Sequence, residues 1–495
     1  MLLIEAGGEP DTNLATIPGT AMDQCGSKLD RASTSTPQKQ LFGRRIAYPR
    51  GRAVGGTSVL NLMMYVRGNR GDYDRREAMG NPGWGYDDVL PYVRRSEGNA
   101  AFADDCHATD GPLSVEITPD RHPLCEQFPE AAQSIGIPYT PDFNGAAEEG
   151  CGYFQATLKN GRRCGSKEAC IDPIRDRGNF TLLRNAFVFR LVIERGRAQG
   201  VEIFSAGQIQ RIYAASEVIM AAGAIGSPHL LMLSGIGAAA DLSAHGIAVI
   251  ADLAGVGHDL QDHIGGGAVS AVLKEPLDLG GQASDFDAAL TEFEATGKGQ
   301  PAAHHLDAGA FLRLDASEAD PDFEAVFTPG LAEVCRTDDQ PDRTHVYLGG
   351  WVSRPLSRGS VTLASADPLD SPLIDPNDFA EPRDLRLTVE GVRRRVDILN
   401  AGPFDAVRLR RADPADMDDA ALDLRVRRSA STLWHPTSTC RMGTDERAVV
   451  GPDLRVHGSE NLRVCDASVM PPMISANTNA TAVMIGEKAS DLVRQ

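Results

Sequence analysis

The chain has 495 residues, 42% hydrophobic and 24% charged, with a formal net charge of -19 and a sequence pI near 5.0. It is long enough to bury large cores over about three domain-sized units, and its negative field excludes nucleic acid and favours neutral or cationic small molecules. Nine cysteines without a C-x-x-C pair read as reduced, mostly structural thiols of a cytoplasmic protein, and with no apolar run of about 20 residues any contact with an inner membrane would be peripheral.

The opening octapeptide, Met1-Leu2-Leu3-Ile4-Glu5-Ala6-Gly7-Gly8, is an apolar run, a carboxylate and a glycine turn. It reads as a short buried strand, and equally as the second strand of a dinucleotide-binding βαβ unit whose acid accepts from a ribose hydroxyl. The second reading expects a G-x-G-x-x-G loop about 20 residues earlier. Next comes Tyr48 to Asn61, in which Gly51, Gly55 and Gly56 let backbone amides approach a ligand while Arg50, Arg52, Thr57 and Ser58 offer phosphate-compatible donors. A glycine-rich turn feeding a helix is the plainer alternative.

Asp104 to Asp110 and Asp315 to Asp322 are acidic surface loops by composition, and Gly297 to Pro301 is a turn cluster. Between the two acidic loops, Glu217-Val218-Ile219-Met220 predicts a strand ending in the small residues Ala221, Ala222 and Gly223. Ser227 is expected to cap the following helix, Pro228 to sit in its first turn and Gly235 to stop it. Within Pro355 to Pro376, Ser360-Val361-Thr362-Leu363 predicts a short strand. The C-terminal blocks are Trp434 to Gly443, Leu462 to Pro471 and Ser475 to Glu487, with Asn477 or Thr478 at a helix start whose free amides favour negative charge. From its residues alone, His435 before Pro436 reads as a structural histidine.

Gly51 to Gly68, Gly223 to Gly237 and Trp434 to Glu487, in this order, resemble the two signatures and the catalytic end of the glucose-methanol-choline (GMC) oxidoreductases, with weaker similarity at Gly255 to His263 and Ser357 to Val361. The resemblance covers nearly the whole chain. It implies an α/β fold, α+β overall. A Rossmann-like FAD-binding domain is built from discontinuous segments, beside a substrate domain with a mainly antiparallel sheet and helices. The expected divisions are 1–265 (the FAD-binding half, incomplete at its start), 266–349 (substrate-domain segment) and 350–490 (the half carrying catalytic residues).

The same resemblance implies roles. Glu5 takes the adenosine ribose; Arg52, Gly55, Gly56 and Thr57 serve the pyrophosphate region; Asn61, Leu62 and Met64 line the flavin side. Val188 lies where family backbone meets adenine, Ala222 and Gly223 at the strand tip, and Asp466, Ala467 and Asn479 at ribityl and pyrimidine. Leu60 stands where some members carry a flavin-linking histidine, so FAD is expected to be non-covalent. His435 matches the base of an alcohol oxidation by hydride transfer to flavin N5, and Asn477 its non-titrating partner. The implied partners are a small-molecule alcohol, choline-like or otherwise primary, and an electron acceptor that is a quinone, a carrier or oxygen. Asp307 falls where choline-type relatives carry an acid, whereas the adjacent His304 and His305 depart from the pattern and read as solvated rather than metal-binding. The alternatives are a hydroxynitrile lyase-like enzyme or a truncated, silent homologue. The resemblance also leads us to expect a longer natural chain that supplies the phosphate loop.

Overall fold

The computed structural model describes residues 1–10, 13–118, 121–277, 286–303, 306–329, 344–414 and 416–495; His304, His305 and Cys335 lie outside them. In chain order the strands that place the site are β1 (Leu2–Ile4), β2 (Gly150–Tyr153), β3 (Thr181–Leu183), β4 (Ala186–Glu194), β5 (Val218–Met220) and β6 (Ile264–Gly265). They continue with β7 (Val269–Val272), β8 (Ala308–Leu312), β9 (Phe323–Pro329), β10 (His345–Val352), β11 (Ser431–Thr432) and β12 (Leu462–Val464). Four helices frame them: α1 (Leu124–Ser134), α2 (Gly223–Leu233), α3 (Pro382–Asn400) and α4 (Thr478–Leu492).

Two short parallel ladders form one side of the molecule. β1 pairs with β3, and the Glu5 amide extends that ladder to Leu183 O at 2.9 Å. β5 pairs with β12, extended by Cys465 N to Met220 O at 2.8 Å. Apolar runs such as Leu2-Leu3-Ile4 and Val218-Ile219-Met220 suit parallel strands, which are usually covered on both faces; the expected burial is only partial here, since Leu2 and Ile219 are exposed. The other side is an antiparallel sheet in the order β11-β6-β10-β9-β8-β2, with β7 also on β10.

The alternation of β9 explains the layering. Phe323, Ala325 and Phe327 belong to the core that includes Phe128 of α1 and Val392 of α3, whereas Val326 joins Phe311 and Trp351 in the second core. Phe128 stacks on Phe327 with ring centroids 5.2 Å apart. A Cβ at Gly350 or Gly391 would stand 2.4 or 2.3 Å from the Phe323 ring, so these two glycines permit the close approach of α3 to the sheet. The fully buried Arg395 of α3 donates to Gly391 O, Leu348 O and Gly266 O, each at 2.9 Å, which satisfies carbonyls and fixes the helix to β10.

The turn cluster at 297–301 is present, with Gly297 and Gly299 at φ 70 and 89, and the predicted strand near Ser360 spans Gly359–Thr362. The two acidic loops lie at the surface as expected, with Asp104, Asp105 and Asp110 exposed, but each turns a residue inward. Asp322 is fully buried and accepts from the amides of Leu314 and Asp315 at 2.8 and 3.0 Å, closing the turn into β9. His107, inside the first acidic loop, is buried between two carboxylates, its Nδ1 3.1 Å from Glu97 and its Nε2 2.8 Å from Asp142. Acidic partners make such a loop fold inward, because an imidazolium with both nitrogens paired needs no water.

Burial opposes the charge on His107, but the hydrogen bonds to Asp142 and Glu97 outweigh it and raise its pKa to about 9. Since the folded value lies above the unfolded one near 6.5, this stabilisation is fully present below about pH 6.5 and is lost as pH rises towards about 9. His107→Gln should therefore lower stability by about 3 kcal/mol at pH 6 and by much less at pH 9.5, flattening the alkaline limb of Tm against pH. An equal Tm loss at both pH values would contradict the account.

Candidate active site

The site begins as a backbone zipper. Residues 261–265 run against 431–437: Ile264 faces Thr432, Gly265 faces Ser431, and Gln261 exchanges hydrogen bonds with Thr437 at 3.3 and 2.9 Å. Leu433 N donates to His263 O at 3.1 Å, and His435 N donates to the Asp262 carboxylate at 2.8 Å. Trp434 sits at φ 61, a rare conformation for a bulky residue, and Ser438 at φ 75. These turns bring His435 into line with Asn477, whose Nδ2 lies 3.4 Å from His435 Nε2.

Asn477 is the N-terminal flanking residue of α4, as expected, but its side chain makes no capping bond. Its Oδ1 is buried without a hydrogen-bond partner among the described residues. The first turn of α4 holds no acidic residue, so its amides and positive dipole end are left for a ligand. The approach to this turn is fixed by Asp72, which accepts from Ser475 N and Oγ at 2.8 and 2.6 Å. Burial above all, with the Arg50 charge opposing a second cation nearby, holds the His435 pKa well below its ordinary value. At neutral pH the ring is thus an uncharged acceptor.

A second set of residues converges where β1 ends. Gly7 N donates to Glu5 Oε1 at 2.7 Å, which turns the carboxylate back onto the glycine turn. Burial pushes the Glu5 carboxyl up, against the pull of the Gly7 amide and of Arg31 and Arg52. A Cβ on Gly7 would stand 1.9 Å from Arg52 O, and one on Gly51 2.1 Å from Gly56 O, so the two turns touch through bare backbone. Gly55 and Gly56 have φ 105 and 57. Thr57 Oγ1 accepts from Gly51 N at 3.2 Å and keeps its own proton to donate.

The remaining expected positions are distributed around these turns. Val188 is half-buried in β4, Met64 is buried beside half-buried Leu62, and Asn61 Oδ1 accepts from Arg163 Nη1 at 2.6 Å. Ala222 is exposed, Ala467 and Asn479 are half-buried, and Gly223 has φ 78 with open space where a Cβ would stand. Asp466 is fully engaged. Its Oδ2 accepts from Gly223 N and Ser227 Oγ at 2.9 and 2.6 Å, its Oδ1 from Ser468 N and Oγ at 2.8 and 2.5 Å.

That engagement corrects two expectations. Ser227 does not cap α2, which starts four residues earlier at Gly223; its hydroxyl serves Asp466, and Asp466 takes over the capping of Gly223 N. Pro228 is consequently inside the helix, where its missing N–H would orphan Ala224 O, and Thr439 Oγ1 donates to that carbonyl at 2.6 Å. Gly235, at φ 84, does end the helix. Of the four donors read as phosphate-compatible, Ser58 donates to Gly55 O at 2.7 Å and accepts from Ser166 N, while Arg50 reaches the carbonyls of Pro49 and Trp434. Both brace the turn internally.

Sequence reasoning missed Arg163, His263 and Glu324. Buried Arg163 pins Ser58 O and Asn61 O at 2.9 and 2.7 Å, and nothing near it in sequence announces that role. His263 lies 2.8 Å from His435, at the end of a motif noted only for similarity. Glu324 is buried with Oε1 unpartnered among the described residues, and burial pushes its carboxyl up to about 8. One acid in Phe323-Glu324-Ala325-Val326-Phe327 was the available signal. Among the described residues no cluster of His, Cys, Asp or Glu could hold a metal ion, and no helix is long and apolar enough to cross a membrane.

Comparison with known proteins yields two family models, both described as GMC oxidoreductase, matching residues 7–265 and 355–486. Human mitochondrial choline dehydrogenase is 38% identical over 478 residues, covering 95% of this chain and 80% of the relative. An alcohol dehydrogenase (acceptor) from Pseudomonas putida is 34% identical over 507 residues, covering 99% and 90%. Among solved structures, formate oxidase of Aspergillus oryzae, studied for modification of its FAD, superposes with a TM-score of 0.91 at 28% identity, covering 100% of this chain and 93% of that one.

Proposed function

Because the chain belongs to the GMC oxidoreductase family, we propose that His435 is the proton acceptor, and Asn477 the oxygen-holding partner, in the oxidation of a primary alcohol to its aldehyde. The broader chemistry is that of the family: the protein is an FAD-dependent oxidoreductase acting on CH-OH donors. The residues present suit the cofactor. A half-buried carboxylate on Glu5, bare backbone at Gly51, Gly55 and Gly56, and open space at Gly223 accommodate ribose, pyrophosphate and a planar ring passing a strand tip.

On this reading Glu5 binds the ribose, while Arg52, Gly55, Gly56 and Thr57 serve the pyrophosphate. Val188, Ala222 and Gly223 pass along the adenosine side, and Asn61, Leu62 and Met64 face the flavin. Asp466 would act through the turn it braces, since its own oxygens are taken by four protein donors. Ala467 and Asn479 then meet the cofactor beside the open amides of α4. Buried Leu60 offers no nucleophile for a covalent link, which supports non-covalent FAD.

Bound FAD supplies the acceptor for the hydride that leaves the carbinol carbon. The chain supplies the rest. His435 Nε2, uncharged at neutral pH, takes the hydroxyl proton; Asn477 Nδ2, 3.4 Å from that nitrogen, donates to the substrate oxygen as negative charge develops on it. The dipole end of α4 favours the negative charge that reduction brings to the site. The observation that carries the proposal is this His435 to Asn477 contact at the start of α4. A choline-like or other primary alcohol is the substrate proposed, given the names of the relatives; a quinone, a carrier protein or oxygen would reoxidise the enzyme.

Three outcomes test the proposal. In anaerobic stopped flow, His435→Ala should slow bleaching of the flavin by substrate alcohol about 100-fold or more, and near-normal bleaching would remove His435 from the mechanism. With the base pKa depressed, the wild-type rate should hold as pH falls through 6.5, the ordinary histidine value, and decline only at lower pH; a decline centred at or above 6.5 would contradict the site electrostatics. Glu5→Gln should weaken FAD binding about tenfold, the equivalent of one charge-assisted hydrogen bond, as measured by flavin fluorescence titration of the apoprotein.

A further inference from the structure

We propose that His263 is a positioning residue that fixes which nitrogen of His435 carries the proton, and so presents His435 Nε2 as a bare lone pair. This rests on the reading of His435 as the base. His263 is 1% exposed and follows Gln261-Asp262 at the start of the zipper. Its Nε2 lies 3.0 Å from Ser353 O and 3.0 Å from Ile474 O. Carbonyl oxygens only accept, so the His263 proton resides on Nε2.

A neutral imidazole has one such proton, which leaves His263 Nδ1 bare. His263 Nδ1 is 2.8 Å from His435 Nδ1, with the rings edge to face at 85° and their centroids 5.1 Å apart. Two bare nitrogens would repel at that distance, so His435 Nδ1 carries its proton and donates it. The His435 Nε2 is then unprotonated and receives the Asn477 Nδ2 contact at 3.4 Å. That arrangement also orients the Asn477 amide, since its oxygen beside a bare nitrogen would gain nothing.

The opposite assignment needs a doubly protonated His263 in a buried position. Burial lowers its pKa to about 4 despite the two carbonyls and Asp72. The charged groups facing the pair are Asp72 on the His263 side and Arg50 and Asp262 on the His435 side. Arg50 opposes a second positive charge, and the Asp262 oxygen that accepts from His435 does so from the backbone amide rather than the ring.

In the reaction the alcohol O–H bond breaks and an N–H bond forms at His435 Nε2. The imidazolium keeps its Nδ1–H on the bare nitrogen of His263, and the two carbonyls hold His263 in place through its own Nε2–H. The two rings therefore divide the task, one taking the proton and one setting its address.

Site-specific 15N spectra of the oxidised holoenzyme, assigned with His435→Gln, decide the tautomer. The expected pattern is a pyrrole-type Nδ1 and a pyridine-type Nε2 on His435; the reverse pattern would overturn the proposal whether or not His435 proves to be the base. Kinetically, His263→Leu should lower flavin reduction by about 10- to 1000-fold, compared with the roughly 10,000-fold loss in the serine-protease wrong-tautomer precedent. His263→Asn, whose oxygen stands near the lost Nδ1, should recover most of that loss and keep the wild-type pH profile, with the apparent substrate affinity of both variants little changed. Equal defects in the two variants, or His263→Leu within twofold of wild type, would refute the positioning role. A normal rate in His435→Ala would sink the base assignment alone.

Discussion

The site depends on one backbone pairing, residues 261–265 against 431–437. These strips come from the two segments that match the family separately, 7–265 and 355–486, and neither carries a complete site. Ladder bonds between Ile264 and Thr432 and between Gln261 and Thr437 set the register. A slip of one residue would turn His263 and His435 to opposite faces. Placing the imidazoles 2.8 Å apart is therefore a consequence of strand register before it is a matter of side-chain packing. Arg395 supports the register from behind by binding Gly266 O, the carbonyl just beyond β6.

Much of the architecture was legible because it is local. Leu2-Leu3-Ile4 and Val218-Ile219-Met220 are strands, Gly235 ends α2, and Asn477 flanks α4, each within a residue of its predicted place. The roles proposed for His435 and Asn477 come from the family resemblance; the residues alone would have left a structural histidine and a helix cap. Long-range competition set the limits. Ser227 was read as a cap because its hydroxyl could serve the nearest amides, but Asp466, 239 residues away, claims it. The early helix start then makes Pro228 an interior residue, tolerable because Thr439 satisfies the carbonyl that a proline leaves empty. No local window contains both halves of such an arrangement.

Histidine charge in this acidic chain follows immediate neighbours rather than net charge. His107 and His263 are almost equally buried, at 1% exposure each, yet their pKa values move in opposite directions. His107 has a carboxylate on each nitrogen and rises to about 9. His263 faces two carbonyls and another imidazole and falls to about 4. Carboxylates supply a compensating charge, whereas carbonyls supply acceptors without one, so the first site stabilises a cation and the second a particular neutral tautomer. Desolvation is common to both, and it prevails only at His263, whose ring touches no carboxylate.

The same distinction explains how the proposed base works beside Arg50. A histidine raised as His107 is, by a carboxylate on each nitrogen, would be protonated at neutral pH and unable to accept. Here the partner of His435 is an uncharged ring, so its lone pair is oriented without being raised in basicity. The proton's arrival is then stabilised by groups that gain importance as the reaction proceeds: the His263 nitrogen beside the new imidazolium, and the first turn of α4 beside the negative charge developing opposite it. Interactions that strengthen as charge develops along the reaction coordinate meet the condition for accelerating a step rather than merely binding its substrate.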